Sequence, residues 1–467
     1  MNRFKRIYIL LGVLAAVCAA TFGVMRYEER REKIKNSEEI ILELAENSVK
    51  SLSWECGSES FSFRKDQTWQ YEEDEAFPVD EEIIEGLLET FASFGVSFVI
   101  EDVEDYGLYG LDDPVCTIRM ETDEESYEIL LGNYSEMDSK RYVSTGDGNV
   151  YLVKEDPLER FDVSLSDLIK HDKTLSFKKA VAVRFAGTEN YSVTYEENSA
   201  EDQYFTEWEG EKKPLDTSRV DSYLEKIRGL GLTNYVTYKA SEEELVSYGL
   251  DSPELTVTVD CSYENEEGEE VTEAYVLHVS RAPDERDTPT GTEKDGDTDS
   301  EEEITAYVRV GESQIIYQIM GEDYKNIMAA SYNDLRHQEV FSADFADITR
   351  MDISLEGNVY TLTSEGKDDE QIWHYEEEEV DISDVKTAFA DLTAESFTEE
   401  SPSQKEEISL SVYLDRENDT KILVELYRYD GETCLAVVDG EPVSLVDRSA
   451  VVDLVEAVYG IVLSKTK

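Results

Sequence analysis

Two hexapeptides lying 139 residues apart constrain this chain more than any other feature. Tyr109-Gly110-Leu111-Asp112-Asp113-Pro114 and Tyr248-Gly249-Leu250-Asp251-Ser252-Pro253 agree at five of six positions. Each leads into alternating apolar residues, Cys116, Ile118 and Met120 in one, Leu255, Val257 and Val259 in the other. That period of two marks a half-buried strand. Glycine admits backbone conformations that are costly elsewhere, and proline fixes φ as the chain enters the strand. Tyr109, Tyr248, Leu111 and Leu250 add apolar surface for anchoring. Tyr109, Gly110, Leu111, Pro114, Tyr248, Gly249, Leu250 and Pro253 are therefore read as structural turns rather than catalytic loops. A chain that carries one turn twice is built from repeated domains.

A third copy emerges upstream of the turns. Asp80, Asp216 and Asp381 each follow an aliphatic residue and are placed to cap a helix. Ile84, Val220 and Val385 stand four residues on; Leu88, Leu224 and Phe389 eight; Phe91, Ile227 and Leu392 eleven. That spacing is one face of an amphipathic helix. Trp69, Trp208 and Trp373 precede the three helices. The third copy lacks the turn and has only Ser401-Pro402 before Ile408, Leu410 and Val412. The copies are placed at 50–172, 178–340 and 346–463, each as strand, strand with Trp, helix, turn and three or four strands. Short connections imply antiparallel pairing with the helix on one sheet face. The expected class is α+β in tandem. The second copy carries an insertion, Arg281 to Glu303, with ten acids and no aliphatic residue larger than Ala, read as a disordered hairpin loop dispensable for folding.

Ahead of the copies, Ile7 to Met25 runs 19 residues without a charge, after Arg3, Lys5 and Arg6. That length crosses a hydrocarbon core as a helix, and it exceeds the apolar run of a cleaved signal peptide. Cys18 follows Val17, where a lipoprotein needs a small residue. The expectation is a cytoplasmic tail at 1–6, an uncleaved transmembrane helix at 7–25 and a helical stalk at 26–49, the last carrying Ile40, Ile41, Leu44 and Val49. Arg26, Arg30, Arg31, Lys33 and Lys35 weaken the charge asymmetry, but a long domain translocates largely regardless of charge. The body is placed outside the cytoplasm.

With 43 Lys+Arg against 108 Asp+Glu the net charge is −65, which excludes a basic stripe for nucleic acid. The charge is read as a solvated exterior. Cys56, Cys116, Cys261 and Cys434 are scattered without a CxxC and are read as free buried thiols. No GxSxG, P-loop, dinucleotide loop or HExxH occurs, and His171, His278, His337 and His374 stand apart. Asp295, Asp297 and Asp299 begin like a calcium loop, but Ser300 and Ala306 occupy the glycine and bidentate positions. Acids are too abundant for any pair to be singled out. The reading is a chain without catalysis, cofactor or metal.

The YGLDDP turn, the helix start Phe77-Pro78-Val79-Asp80 and the apolar N-terminus together resemble the bacterial family known as domain of unknown function 4340. The resemblance covers roughly residues 50–340, and the third copy by pattern only. It brings no catalytic residues. Because such proteins are often encoded beside ABC-type transporters like those of gliding motility, it implies an accessory of the cell envelope, tethered to the membrane, with a transporter permease or associated subunit as partner. The competing expectation is an envelope ligand-binding protein, or an enzyme of wall glycan or peptide, with its site between copies.

Overall fold

The computed structural model describes residues 14, 17–22, 39–101, 103–199, 202–264, 268–286, 304–341, 343–366, 371–415 and 421–463. Among the described residues twenty-seven strands form three nine-stranded sheets. The first holds β1 (Ile40–Leu42), β2 (Val49–Cys56), β3 (Glu59–Lys65), β4 (Trp69–Tyr71), β5 (Phe94–Ile100), β6 (Cys116–Thr122), β7 (Ser126–Ser135), β8 (Lys140–Ser144) and β9 (Val150–Val153). The second holds β10 (Lys179–Ala186), β11 (Asn190–Tyr195), β12 (Tyr204–Trp208), β13 (Glu211–Leu215), β14 (Tyr235–Thr237), β15 (Leu255–Glu264), β16 (Glu270–Arg281), β17 (Ala306–Val310) and β18 (Ile316–Ile319). The third holds β19 (Ile348–Leu355), β20 (Asn358–Glu365), β21 (Ile372–Tyr375), β22 (Glu378–Val380), β23 (Ala394–Phe397), β24 (Glu406–Leu414), β25 (Lys421–Arg428), β26 (Thr433–Val438) and β27 (Glu441–Asp447).

The three sheets share one plan. The first runs β4-β3-β2-β6-β7-β8-β9-β5-β1, and the third β22-β21-β20-β19-β24-β25-β26-β27-β23. The second contains the runs β13-β12-β11-β10-β15-β16 and β17-β18-β14 in the same sense. A strand not expected from the sequence follows each main helix and extends the far side, β5 on β9, β14 on β18 and β23 on β27, all antiparallel; in the first sheet β1 adds once more beyond β5. A register shift recurs near the start of β2, β10 and β19, at Val49/Ser51, Ala180/Ala182 and Ile348/Arg350.

The chain divides into two compact units, Met1–Thr174 with Gly231–Ser252 and Ser280–Ile319, and Leu175–Leu230 with Pro253–Val279 and Met320–Lys467. In the first, Trp54 stacks on Phe63 at 5.6 Å and meets Phe161 edge-on at 5.4 Å. In the second, Phe341 stacks on Phe389, and Val451, Leu454, Val458 and Ile461 of a terminal helix are buried in the core of the third sheet.

The main helices are α1 (Glu81–Glu89), α2 (Thr217–Arg228) and α3 (Ser383–Ala390). The carboxylates of Asp80, Asp216 and Asp381 accept from the amides of Glu82, Ser218 and Ser383 at 3.1, 2.9 and 2.9 Å. These bonds satisfy donors that a helix start leaves open. The nine apolar residues at four, eight and eleven positions beyond these aspartates are all buried, although at the third helix Ile382 rather than Asp381 takes the cap position. Asp216→Ala is expected to lower stability by about 1 kcal/mol, read from the urea midpoint.

Several expectations are corrected. Residues 40–48 are not a helical stalk: Ile40–Leu42 pairs antiparallel with β5, and Glu46–Ser48 is a 3-10 turn. Tertiary pairing with an available sheet edge overrides a short helical pattern. Residues 26–38 lie outside the described residues. The copies hold more than one helix each: short helices at Leu158–Phe161 and Glu242–Ser247, and a 16-residue helix at Arg448–Leu463. Within the apolar N-terminal stretch, Leu14 and Val17 to Phe22 are helical; the remainder lies outside the described residues. No helix among the described residues is long and apolar enough to cross a membrane.

Candidate functional site

Both repeated turns close a short helix. In the first, Asp105 accepts from the Gly107 amide at 3.1 Å and starts a 3-10 turn, Tyr106–Tyr109. Gly110 ends it in the left-handed region at φ 70°. In the second, Ser241 and Glu244 cap Glu242–Ser247 reciprocally, and Gly249 follows at φ 72°. Tyr109 packs on Tyr142 of β8 with ring centres 5.0 Å apart, and Tyr248 packs on Tyr307 of β17 at 4.7 Å. Leu111 and Leu250 are buried, Pro114 and Pro253 are half-buried, and Asp112 and Asp251 are exposed. A Cβ on Gly110 would lie 2.6 Å from the Asn133 side chain. Gly110→Ala is expected to cost about 2 kcal/mol through strain at positive φ, while Asp112→Asn leaves the melting temperature unchanged.

The start of the insertion belongs to the second turn. The Arg286 guanidinium donates to the Gly249 carbonyl and the Ser280 hydroxyl. Arg281, itself buried, donates to the Glu285 and Arg286 carbonyls, both at 3.3 Å. Residues 281–286 are therefore packed rather than disordered. Residues 287–303, with the calcium-like acids at 295, 297 and 299, lie outside the described residues.

The first unit also contains a wide-open surface cavity of about 390 Å³. The chain strap beneath it is tied down by backbone bonds: Asp80 donates to Leu168 O at 2.9 Å, and Lys170 donates to Pro78 O at 2.7 Å. Leu168 ends a turn whose start is capped by Ser164 and Asp167. Lys170, His171, Asp172 and Lys173 thereby face Pro78, Tyr238 and Ser313 around the cavity. The Tyr317 hydroxyl accepts from the Asp172 amide at 2.8 Å and fixes the strap from the other side. Tyr238 is held edge-on by Phe77 at 5.2 Å, and its hydroxyl donates to Asp74 at 2.8 Å.

Electrostatics in the cavity follow burial. Burial pushes the Asp172 carboxyl up, and the hydroxyls of Ser313 and Tyr317 and the charges of His171 and Arg309 draw it only partly back. Burial pushes the His171 imidazole down. His171 Nδ1 and Asp172 Oδ2 are buried atoms without a hydrogen-bond partner among the described residues. At the edge, the Lys239 ammonium 2.5 Å away and the Tyr238 hydroxyl hold Asp74 down at about 2. A depressed carboxylate contributes its stability above the ordinary carboxylate range and loses it as pH falls through the folded value. The Asp74 tie to Tyr238 and Lys239 is thus expected to persist at pH 4 and to open toward pH 2, read from the Asp74 carboxyl and Lys239 resonances.

The histidines divide. His278 and His374 sit on β16 and β21. In the second unit, His337 Nε2 lies 2.9 Å from Asp202 Oδ2, and Nδ1 lies 3.7 Å from Glu339 Oε2. Asp216 completes a group with His337 and Glu339 whose ligand atoms lie within 4.8 Å of one another, a donor set of the kind that holds a divalent cation. The Asp216 carboxylate, however, is committed to the start of α2, accepting from the Ser218 and Arg219 amides and the Ser218 hydroxyl.

Cys56 and Cys116, partners across β2 and β6, form a disulfide, which corrects the expectation of free thiols at these two positions. Cys261 and Cys434 are free and buried, and burial pushes both thiols up to about 11. A further repeated element went unread in the sequence: Ser164-x-x-Asp167-Leu168 and Ser331-x-x-Asp334-Leu335 form the same capping box, and each Leu carbonyl receives the amide of the capping Asp80 or Asp216.

No curated protein and no solved structure matches the chain. A family model, "Domain of unknown function (DUF4340)", matches residues 69–253 and again residues 214–411. The two matches start 145 residues apart, at the Trp69 strand and at the end of the second copy's Trp hairpin, close to the spacing of the two turns. Together they cover well over half of the sequence, and the chain belongs to the family defined by this domain, which it carries twice.

Proposed function

We propose that this chain is a membrane-tethered, extracytoplasmic accessory protein, auxiliary to an ABC-type transporter complex and without catalysis of its own. In this reading residues 7–25 anchor it, with the N-terminus cytoplasmic. Its body comprises repeats at 50–172, 178–340 and 346–463, which offer broad sheet surfaces to a transporter permease or associated subunit. The observation that carries the location is the Cys56–Cys116 disulfide, since such bonds persist in oxidising compartments and are rare in the cytosol. The uncharged 19-residue stretch after Arg3, Lys5 and Arg6 supports the anchor.

Protease added to intact protoplasts should digest the body, and thiol labelling of the membrane fraction without reductant should leave Cys56 and Cys116 unlabelled. Full protease protection would overturn the orientation. A mature N-terminus near Ala20 would overturn the anchor. Pull-down of the anchored protein from membranes should recover a transporter subunit, and recovery of wall enzymes alone would count against the partner. A second reading, an envelope ligand-binding protein, is favoured by the cavity at Lys170–Lys173 and its two buried atoms that have no partner among the described residues.

A further inference from the structure

We infer that the cavity of the first unit takes a small zwitterion, a free amino acid or short peptide, with its carboxylate on Lys170 and Lys173 and its ammonium on Asp172. The inference rests on the ligand-binding reading and names the ligand's chemistry. Three observations converge on it. The cavity volume, about 390 Å³, falls in the range of small-molecule sites, roughly 300–1,000 Å³. In a chain of net charge −65, its lining among the described residues carries Lys170 and Lys173 against the carboxylate of Asp172, and the Asp74 carboxylate at the edge is paired with Lys239, so the repulsion an anionic group meets elsewhere on this chain is reduced here. Inside, Asp172 Oδ2 and His171 Nδ1 are buried without a partner among the described residues, and a buried acceptor left unmatched is costly.

These features ask for two different ends on one ligand. The exposed lysines match an anion at the mouth. The buried carboxylate oxygen matches an N–H donor, best a charged one. A simple anion leaves the Asp172 Oδ2 atom unmatched, although Ser313 and Tyr317 already serve the rest of that carboxyl, and a simple cation meets two lysines. A molecule with both charges answers both ends. The burial that pushes the Asp172 carboxyl up acts in the same direction, since an incoming ammonium restores the charge that burial disfavours.

The test uses the full-length protein in detergent micelles and three probes: alanyl-alanine, its N-acetyl form and its C-terminal amide. The chain has only four histidines, so the ring signals of His171 are resolved by isotope labelling and assigned by His171→Gln. Alanyl-alanine should move those signals in a saturable way, and each blocked form should bind at least about tenfold more weakly. Asp172→Asn should remove the advantage over the N-acetyl form alone. Lys170→Gln with Lys173→Gln should remove the advantage over the amide alone. Both lysines are exposed, so this double variant should melt with the parent and keeps the test decisive if Asp172→Asn fails to fold. Saturable shifts of equal strength with blocked and unblocked probes would overturn the zwitterion while leaving a ligand site. No shift with any of the three would overturn both.

Discussion

Gly132→Val is expected to lower the stability of the first sheet by about 4 kcal/mol or more, seen as an early loss of the near-ultraviolet signal on heating. Gly132 lies within β7, where a glycine has no propensity to recommend it. Its value is space. A Cβ at this position would stand 2.2 Å from the Tyr109 carbonyl oxygen and 3.0 Å from Leu111. The first repeated turn thus rests on bare backbone, and no side-chain rotation relieves a clash with a carbonyl. Gly86, in the middle of α1 with nothing near its missing Cβ, is the control: Gly86→Ala should be neutral or stabilise by up to about 1 kcal/mol. Equal effects at both sites would show that helix and strand propensity, rather than close approach, sets the outcome.

The second large effect is expected at Arg141. Its Nε lies 2.7 Å from Asp156, each side chain is only 10% exposed, and its Nη1 donates to the Gly132 carbonyl at 2.7 Å. Removing one partner strands the other charge out of water. Arg141→Ala should therefore cost about 3–5 kcal/mol. Replacing the pair together, Arg141→Met with Asp156→Leu, should recover most of that loss, because apolar residues of similar volume need no counter-charge. A double-mutant cycle in urea measures the coupling. Additive losses would mean that the two side chains act independently.

What the sequence disclosed was whatever depends on short periods. The caps at Asp80 and Asp216 and the faces from Ile84, Val220 and Val385 are local chemistry, and the structure places each as a cap or buried face, whereas Asp381 stands one residue before the cap position, which Ile382 takes, and bonds the first helical amide. The α+β class with antiparallel sheets followed from the same periods. Strands of three or four residues such as β14 and β23 were hidden, because a segment so short owes its state to the edge it meets. The Cys56–Cys116 pair was hidden for a related reason: it depends on the register of β2 against β6, which no spacing of 60 residues announces. The cavity is assembled from segments near residues 76–78, 170–173, 238 and 313–315, and of these only the first carries a motif, the Phe77-Pro78-Val79-Asp80 helix start, which says nothing of the other three. Only the Ser-x-x-Asp-Leu boxes were present as a signal and passed over.

Three sheets of one strand order create a hazard during synthesis: a first strand can dock in the wrong copy and seed a swapped, tangled product. Ser53 lies opposite Arg119 across β2 and β6, whereas the matching residue of β10, Arg184, lies opposite Thr258 and pairs with Asp260. Were β10 to take the place of β2, Arg184 would face Arg119 head-on, two like charges on neighbouring strands, and Asp260 would lose its partner. The correct assembly instead gives Arg119 the carboxylates of Glu55 at 3.7 Å and Glu128 at 2.9 Å. At this one position, ion pairs that add little to the finished protein set the correct pairing apart from the swapped one by a like-charge contact.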